Sequence, residues 1–239
     1  MKVFLAGASG AIGRRLTPLL VAAGHQVTGM TRNPETARAL EASGIIAVVV
    51  DVFHASALRR VVMNAQPEIV IHQLTDLPHV FDEAALAASL PRNARIRVEG
   101  TRNLIAAAQA ASVRRFVVQS IAFGYASGVE PYAETDPLNL ADGPRVGTMR
   151  AAANMEEQVM ASGMQAIVLR YGLLYGPGTW SEWPSRKPPL HVDAAAHAAL
   201  LAVSRGGPGV YNIADDEGTI SIERARVELG FDPAFRLPS

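Results

Sequence analysis

The chain contains no cysteine, which excludes disulfides, thiolate catalysis and cysteine-ligated zinc and points to a cytoplasmic location. Lysine occurs only at Lys2 and Lys187. Charge of neither sign dominates: Lys+Arg and Asp+Glu both number 22, so no net field would recruit nucleic acid or an anionic membrane surface. No apolar run approaches the ~20 residues that a membrane-spanning helix needs. The chain opens directly on strand-like residues, with no charged leader ahead of an apolar segment. Internal repeats and low-complexity tracts are missing as well. What is present is ordinary for a packed domain: 49% apolar and 18% charged residues in 239, enough for a sizeable core. One domain, with at most a small appended lobe, is expected to act on a small molecule.

The most informative stretch is Gly7-Ala8-Ser9-Gly10-Ala11-Ile12-Gly13. Before it runs Lys2-Val3-Phe4-Leu5-Ala6, which reads as a buried strand, and after it Arg14 to Ala23 has helical apolar spacing. Strand, Gly-rich turn and helix in that order form a dinucleotide site. Glycine lets the backbone approach a pyrophosphate, and the helix N-terminus offers unpaired N–H groups and partial positive charge. Gly7, Ser9, Gly10, Ala11, Ile12 and Gly13 are therefore candidate cofactor contacts. Glycines serving sterics alone are the alternative, and their place at the head of an alternating α/β pattern favours the nucleotide.

That alternation continues. Strands are expected at His25–Met30, Ile45–Val50, Glu68–Ile71, Arg115–Gln119 and Ala166–Leu169. Helices are expected at Pro34–Ala42, Ala55–Ala65, Pro91–Ala111 and Val146–Ser162. Together they imply right-handed crossovers and a doubly wound α/β fold with a parallel, Rossmann-like sheet. After Arg170 the chain turns loop-rich, with prolines at 177, 184, 188 and 189 and both tryptophans. It then returns with a helix at Asp193–Ser204, a strand at Val210–Ile213 and a last helix near Ile220–Leu229. The expected division is a dinucleotide-binding core over 1–170 and a reduced substrate lobe over 171–239, packed on the core as one unit.

With these pieces in order the chain resembles, over nearly its whole length, the extended short-chain dehydrogenase/reductases of the NAD-dependent epimerase/dehydratase type. The resemblance is carried by the opening Gly motif, by Asp51-Val52 and by Gly100-Thr101-Arg102-Asn103-Leu104. Further along it is carried by Arg170-Tyr171-Gly172-Leu173-Leu174-Tyr175-Gly176-Pro177-Gly178 and by His191-Val192-Asp193. It implies adenine contacts from Asp51 and Val52, and further cofactor contacts from Leu74, Thr75, Tyr171 and Leu174. It also implies a homodimer built on the helices at 91–111 and 146–162. An acid at the end of strand two would favour NAD, but Thr31-Arg32-Asn33 stands there. A guanidinium suits a 2′-phosphate, so the expected cofactor is NADP rather than NAD.

One departure from the family matters most. Its Tyr-x-x-x-Lys pair is absent: four residues after Tyr125, Tyr132, Tyr171, Tyr175 and Tyr211 stand Val129, Asp136, Tyr175, Thr179 and Asp215. Thr148 and Ala152 take the places of the pair when Glu156 is set at the family's helix acid, and Arg97 replaces a customary asparagine. Ser120 matches the substrate-binding serine, and Tyr125 could supply a phenol, so these two are the catalytic candidates. His72, Asp76, His79 and Asp82 flank strand four with no metal-site spacing. Arg92, Arg95, Arg97 and Arg102 are expected on a solvated helix face, with one of them within reach of the site. His191 is expected to steer Asp193 into a helix N-cap. The leading function is an NADP-dependent oxidoreductase or epimerase-like enzyme acting on a small carbonyl or hydroxyl metabolite. The alternatives are a non-redox cyclase, isomerase or lyase on this scaffold, and a non-catalytic NADP sensor.

Overall fold

The computed structural model describes residues 1–78, 80–143 and 145–238. β1 (Lys2–Ala6) and β4 (Ile69–His72) are apolar and buried almost throughout, as strands covered by helices on both faces must be. With β2 (Gln26–Thr31), β3 (Ile46–Val49), β5 (Arg115–Ile121), β6 (Gln165–Tyr171) and β9 (Gly209–Ile213) they make one seven-stranded sheet in the order β3-β2-β1-β4-β5-β6-β9. Every pairing in it is parallel. The direction of winding reverses between β1 and β4, which opens a crevice at the strands' C-terminal ends. The expected boundary at residue 170 falls inside β6, and β9 completes the same sheet beside it.

The helices divide between the two faces. α1 (Ala11–Ala22) packs on α7 (Val192–Leu201), while α3 (Ala55–Ala65) packs on α5 (Thr101–Ala110), which also meets α6 (Val146–Met160). α2 (Pro34–Ala42) is opened by Asn33, whose Oδ1 accepts from the Glu35 N–H at 2.7 Å.

Four local expectations are corrected. The long helix begins not at Pro91 but with α4 (Glu83–Arg95), because Asp82 caps it, its Oδ1 accepting from the Ala85 N–H at 2.7 Å. Pro91 lies inside α4, and a π turn at Ile96–Gly100 then leads into α5. The loop after β6 contains a short parallel pair, β7 (Leu173–Tyr175) with β8 (Pro189–His191), too brief to leave a periodicity signal. His191 itself is the N-cap of α7, its Nδ1 accepting from the Asp193 N–H at 3.1 Å, so Asp193 is free to pair with Arg15 at 2.5 Å. The last helix shrinks to a short helical turn closed by a π segment (Ala225–Leu229), because Ile220 is taken up in a bridge to Tyr132.

Candidate dinucleotide site and catalytic cleft

A cleft of about 1320 Å³ follows the C-terminal ends of β1, β2, β4, β5 and β6. Its floor is the turn between β1 and α1. Gly7 has φ +95°, and a Cβ there would lie 2.6 Å from the Gln73 carbonyl oxygen, so the close approach of this turn to the end of β4 requires glycine. Gly13 has no room for a Cβ against the Gly7 carbonyl, which is how α1 seats on the turn. Gly10 differs: an added Cβ would meet only the Gly7 oxygen, at 3.4 Å. Its missing side chain therefore leaves space in the cleft rather than serving packing. α1 has no side-chain N-cap and no acid in its first turn, so its first N–H groups and positive dipole end face this space unneutralised. In the facing wall Gln73 Oε1 is buried and has no hydrogen-bond partner among the described residues. An open backbone cradle at a helix N-terminus, beside an orphaned buried acceptor, fits a dinucleotide.

Of the sequence-derived cofactor contacts, Gly7, Ser9, Gly10, Ala11, Ile12, Arg32, Leu74, Thr75, Tyr171 and Leu174 line the cleft. Gly13, Asp51 and Val52 are not among the residues that line it. Asp51 Oδ1 accepts from the Phe53 N–H at 2.9 Å, and Arg92 lies 3.6 Å from its other oxygen. Val52 is buried, packed where a Cβ on Gly100 would come within 3.1 Å. Arg32 reaches from the end of β2 to Asp76, Nη2 donating to Oδ1 at 2.7 Å with its side chain 48% exposed. His79 lies outside the described residues. His72 is a pin rather than a reactive group. Its Nδ1 accepts from the Leu74 N–H at 3.2 Å, which leaves Nε2 to donate to Thr101 Oγ1 at 3.0 Å. Burial, and secondarily the positive charge of Arg97, push its pKa down to about 3.

The two catalytic candidates are separated. Ser120 lines the cleft at the end of β5, and its hydroxyl donates to Glu156 Oε1 on α6 at 2.5 Å. Arg170, on β6, donates to the same carboxylate from Nε at 3.0 Å and from Nη2 at 2.7 Å. Both members of this ion pair are more than nine-tenths buried. Burial alone would ease the Arg170 proton off, but the bonds and charge of Glu156 outweigh it and hold the guanidinium charged. Tyr125 lies beyond the pair, outside the cleft. It donates to Asn212 Oδ1 at 2.6 Å and accepts from Arg170 Nη1 at 3.0 Å. Burial raises its pKa, with Arg170 opposing, so its phenol is a weaker acid than usual. Sequence reasoning did not single out Gln73, Phe123, Arg145 or Trp180, all in the cleft wall. For Arg97 the signal existed: it is the arginine of its helix that enters the cleft, and it replaces the expected asparagine.

Two loops bridge the cleft. Trp180 Nε1 donates to the Pro78 carbonyl at 2.7 Å, and the Trp180 ring meets Phe81 at 5.4 Å between centroids. No helix is long and apolar enough to cross a membrane among the described residues.

Comparison with known proteins places this geometry. The chain is 39% identical to a 3-diazoavenalumate denitrifying reductase from a Streptomyces species, over 91% of this chain and 77% of that protein. It is 27% identical to a 4-hydroxy-2-methyl-3-oxo-4-farnesyl-3,4-dihydroquinoline-1-oxide ketoreductase from Stigmatella aurantiaca, over 90% of this chain and 68% of that protein. Its fold matches that of a UDP-glucose 4-epimerase from Thermotoga maritima solved with UDP-glucose, with a TM-score of 0.80 and 18% identity over 99% of this chain and 94% of that one. Other structures of this fold hold NAD. A family model described as NAD(P)H-binding matches residues 7–182, the stretch that runs from the first glycine of the cradle to the far wall of the cleft, and the chain belongs to that NAD(P)H-binding family.

Proposed function

We propose that this protein is an NADPH-dependent reductase whose substrate is reduced without a proton from a tyrosine–lysine relay. One observation carries the reading: the cleft has a backbone cradle suited to a dinucleotide, yet among the described residues no side chain beside it is poised as an acid. The bound dinucleotide would supply a hydride. The Gly7–Ile12 backbone and the α1 N-terminus would hold its pyrophosphate, and Arg32 its 2′-phosphate. Thr148 and Ala152 stand where the family places tyrosine and lysine. Ser120 spends its proton on Glu156, so its oxygen faces the cleft with lone pairs and would touch substrate as an acceptor. Tyr125 acts as a positioning residue, through Arg170 and Glu156.

Reduction of a ketone to an alcohol consumes one proton, and no group among the described residues is placed to give it. Replacing an aryl carbon–dinitrogen bond by carbon–hydrogen, with a hydride added and N2 lost, balances without one. The similarity to a denitrifying reductase supports that second class of acceptor, and an aryl diazo compound is the proposed substrate class. The test is turnover of an ortho-hydroxyaryl diazo acid with NADPH deuterated at nicotinamide C4. Deuterium should appear on the arene carbon that lost N2, with none incorporated from D2O when the cofactor is unlabelled. Label that comes from solvent, or no N2 release, would reject the reading and favour ketone reduction or a non-redox reaction.

A further inference from the structure

The π turn between α4 and α5 carries Arg97 into the end of the cleft away from the phosphate cradle. Its guanidinium is largely buried, and its one hydrogen bond among the described residues is a long one, from Nη1 to the Thr148 carbonyl at 3.4 Å. The nearby Glu156 carboxylate makes no bond to it, and its single charge is already matched by Arg170, which it binds twice. A guanidinium carries five N–H donors, and an unpaired charge taken out of water is costly. Burial accordingly lowers the Arg97 pKa to about 10, with Glu156 opposing. A second cation, Arg145, lines the same end with its guanidinium 5.5 Å from the centre of the Phe123 ring. Neither arginine belongs to the cofactor's phosphate site. That site is built at the N-terminus of α1, in the helix layer shared with α7, whereas Arg97 and Thr148 come from the α4–α6 layer on the opposite face.

We propose that Arg97, with Arg145 at the mouth, is the anchor for a carboxylate on the substrate, so that this enzyme acts on organic acids. A planar carboxylate can accept two parallel N–H bonds from the guanidinium fork. The wall beside it, with Ile121 and Phe123, suits an apolar or aromatic body. The proposal rests on the reading of this cleft as a reductase site, and it assigns Arg97 a role separate from the cofactor's.

The experiment is calorimetric binding of benzoate and of methyl benzoate to the protein saturated with NADP+, in the parent, Arg97→Met and Arg97→Lys. Benzoate should bind at least tenfold more tightly than its ester, about 1.4 kcal/mol, and less so as salt rises. Arg97→Met should erase that preference and Arg97→Lys keep part of it. NADP+ affinity should stay within about twofold, and Arg97→Met should melt no lower than the parent, since an unpaired buried charge has been removed. Equal binding of acid and ester, no benzoate binding at millimolar concentration, or a preference surviving in Arg97→Met would each overturn the proposal. A large loss of NADP+ affinity would assign Arg97 to the cofactor, and a lowered melting temperature would make it structural; either also overturns it. Binding is read here without turnover, so carboxylate capture without deuteride transfer would sink the reductase reading alone.

Discussion

Replacing Glu156 by glutamine tests how the floor beneath Ser120 is held. The carboxylate accepts three bonds, from Ser120 Oγ at 2.5 Å and from Arg170 Nε and Nη2 at 3.0 and 2.7 Å. It is also the only anion that balances the buried Arg170 charge among the described residues. Glutamine keeps the shape but removes the charge and turns one acceptor into a donor facing a guanidinium. Breaking a buried pair by removing one partner costs about 3–5 kcal/mol. In a chain of this length each kcal/mol moves the melting temperature by roughly 2–4 °C, so Glu156→Gln should melt about 6–20 °C below the parent. The assay is urea and thermal unfolding of the parent, Glu156→Gln, Arg170→Met and the double variant. Because the double variant has no uncompensated buried charge, its loss should fall short of the summed single losses by about 2 kcal/mol or more. A Glu156→Gln protein within about 1 kcal/mol of the parent, or additive single losses, would refute the argument that this pair is a coupled, desolvated unit.

Other outcomes follow from single contacts. Gly10→Val should fold, since little protein lies where its side chain would go, yet lose NADPH binding; unchanged affinity would remove the proposed cradle. NADPH should bind at least tenfold more tightly than NADH, and Arg32→Ala should close most of that gap, as measured by fluorescence titration; equal affinities in the parent would refute the assignment of Arg32. His72 stays neutral in the fold, its pKa about 3 against an ordinary 6.5, so below about pH 6.5 the unfolded chain binds the extra proton. Its contribution to stability is complete above that pH and is lost as pH falls toward 3, reaching about 2 kcal/mol by about pH 5. His72→Gln should lack that component, and unfolding curves that fall in parallel for the two proteins would contradict it. Ser120→Ala should lower turnover by about tenfold and Tyr125→Phe by less than about threefold, with no solvent isotope effect on either. A large effect at Tyr125 would restore it as the proton donor. Light scattering should show a dimer at micromolar concentration, and a monomer would argue against pairing through the long helices.

The doubly wound fold was legible because it rests on local, periodic signals. Apolar runs mark strands buried on both faces, helical spacing marks the crossovers, and Gly7, Gly10 and Gly13 mark the turn, which requires glycine at Gly7 and Gly13. The candidate cradle was legible for the same reason, being mostly backbone within seven consecutive residues. Missing chemistry could be read too, since two lysines and five tyrosines can be enumerated. Contacts across the sheet could not be read in this way. Helical spacing does not distinguish Arg97 from Arg92, Arg95 or Arg102, and only its replacement of the customary asparagine marked it; a π turn between α4 and α5 rotates that one arginine into the cleft. Ser120 and Tyr125 are five residues apart, yet the Glu156–Arg170 pair, brought in from α6 and β6, puts them on opposite sides of a buried charge. Nor could the partners of Asp51 and Val52 be read locally: Arg92 beside the Asp51 carboxylate and Gly100 against Val52 come from the α4–α5 segment. Periodicity and backbone conformation are written along the chain, whereas the surroundings of a charged group are set by residues tens of positions away, and only the folded structure brings those together.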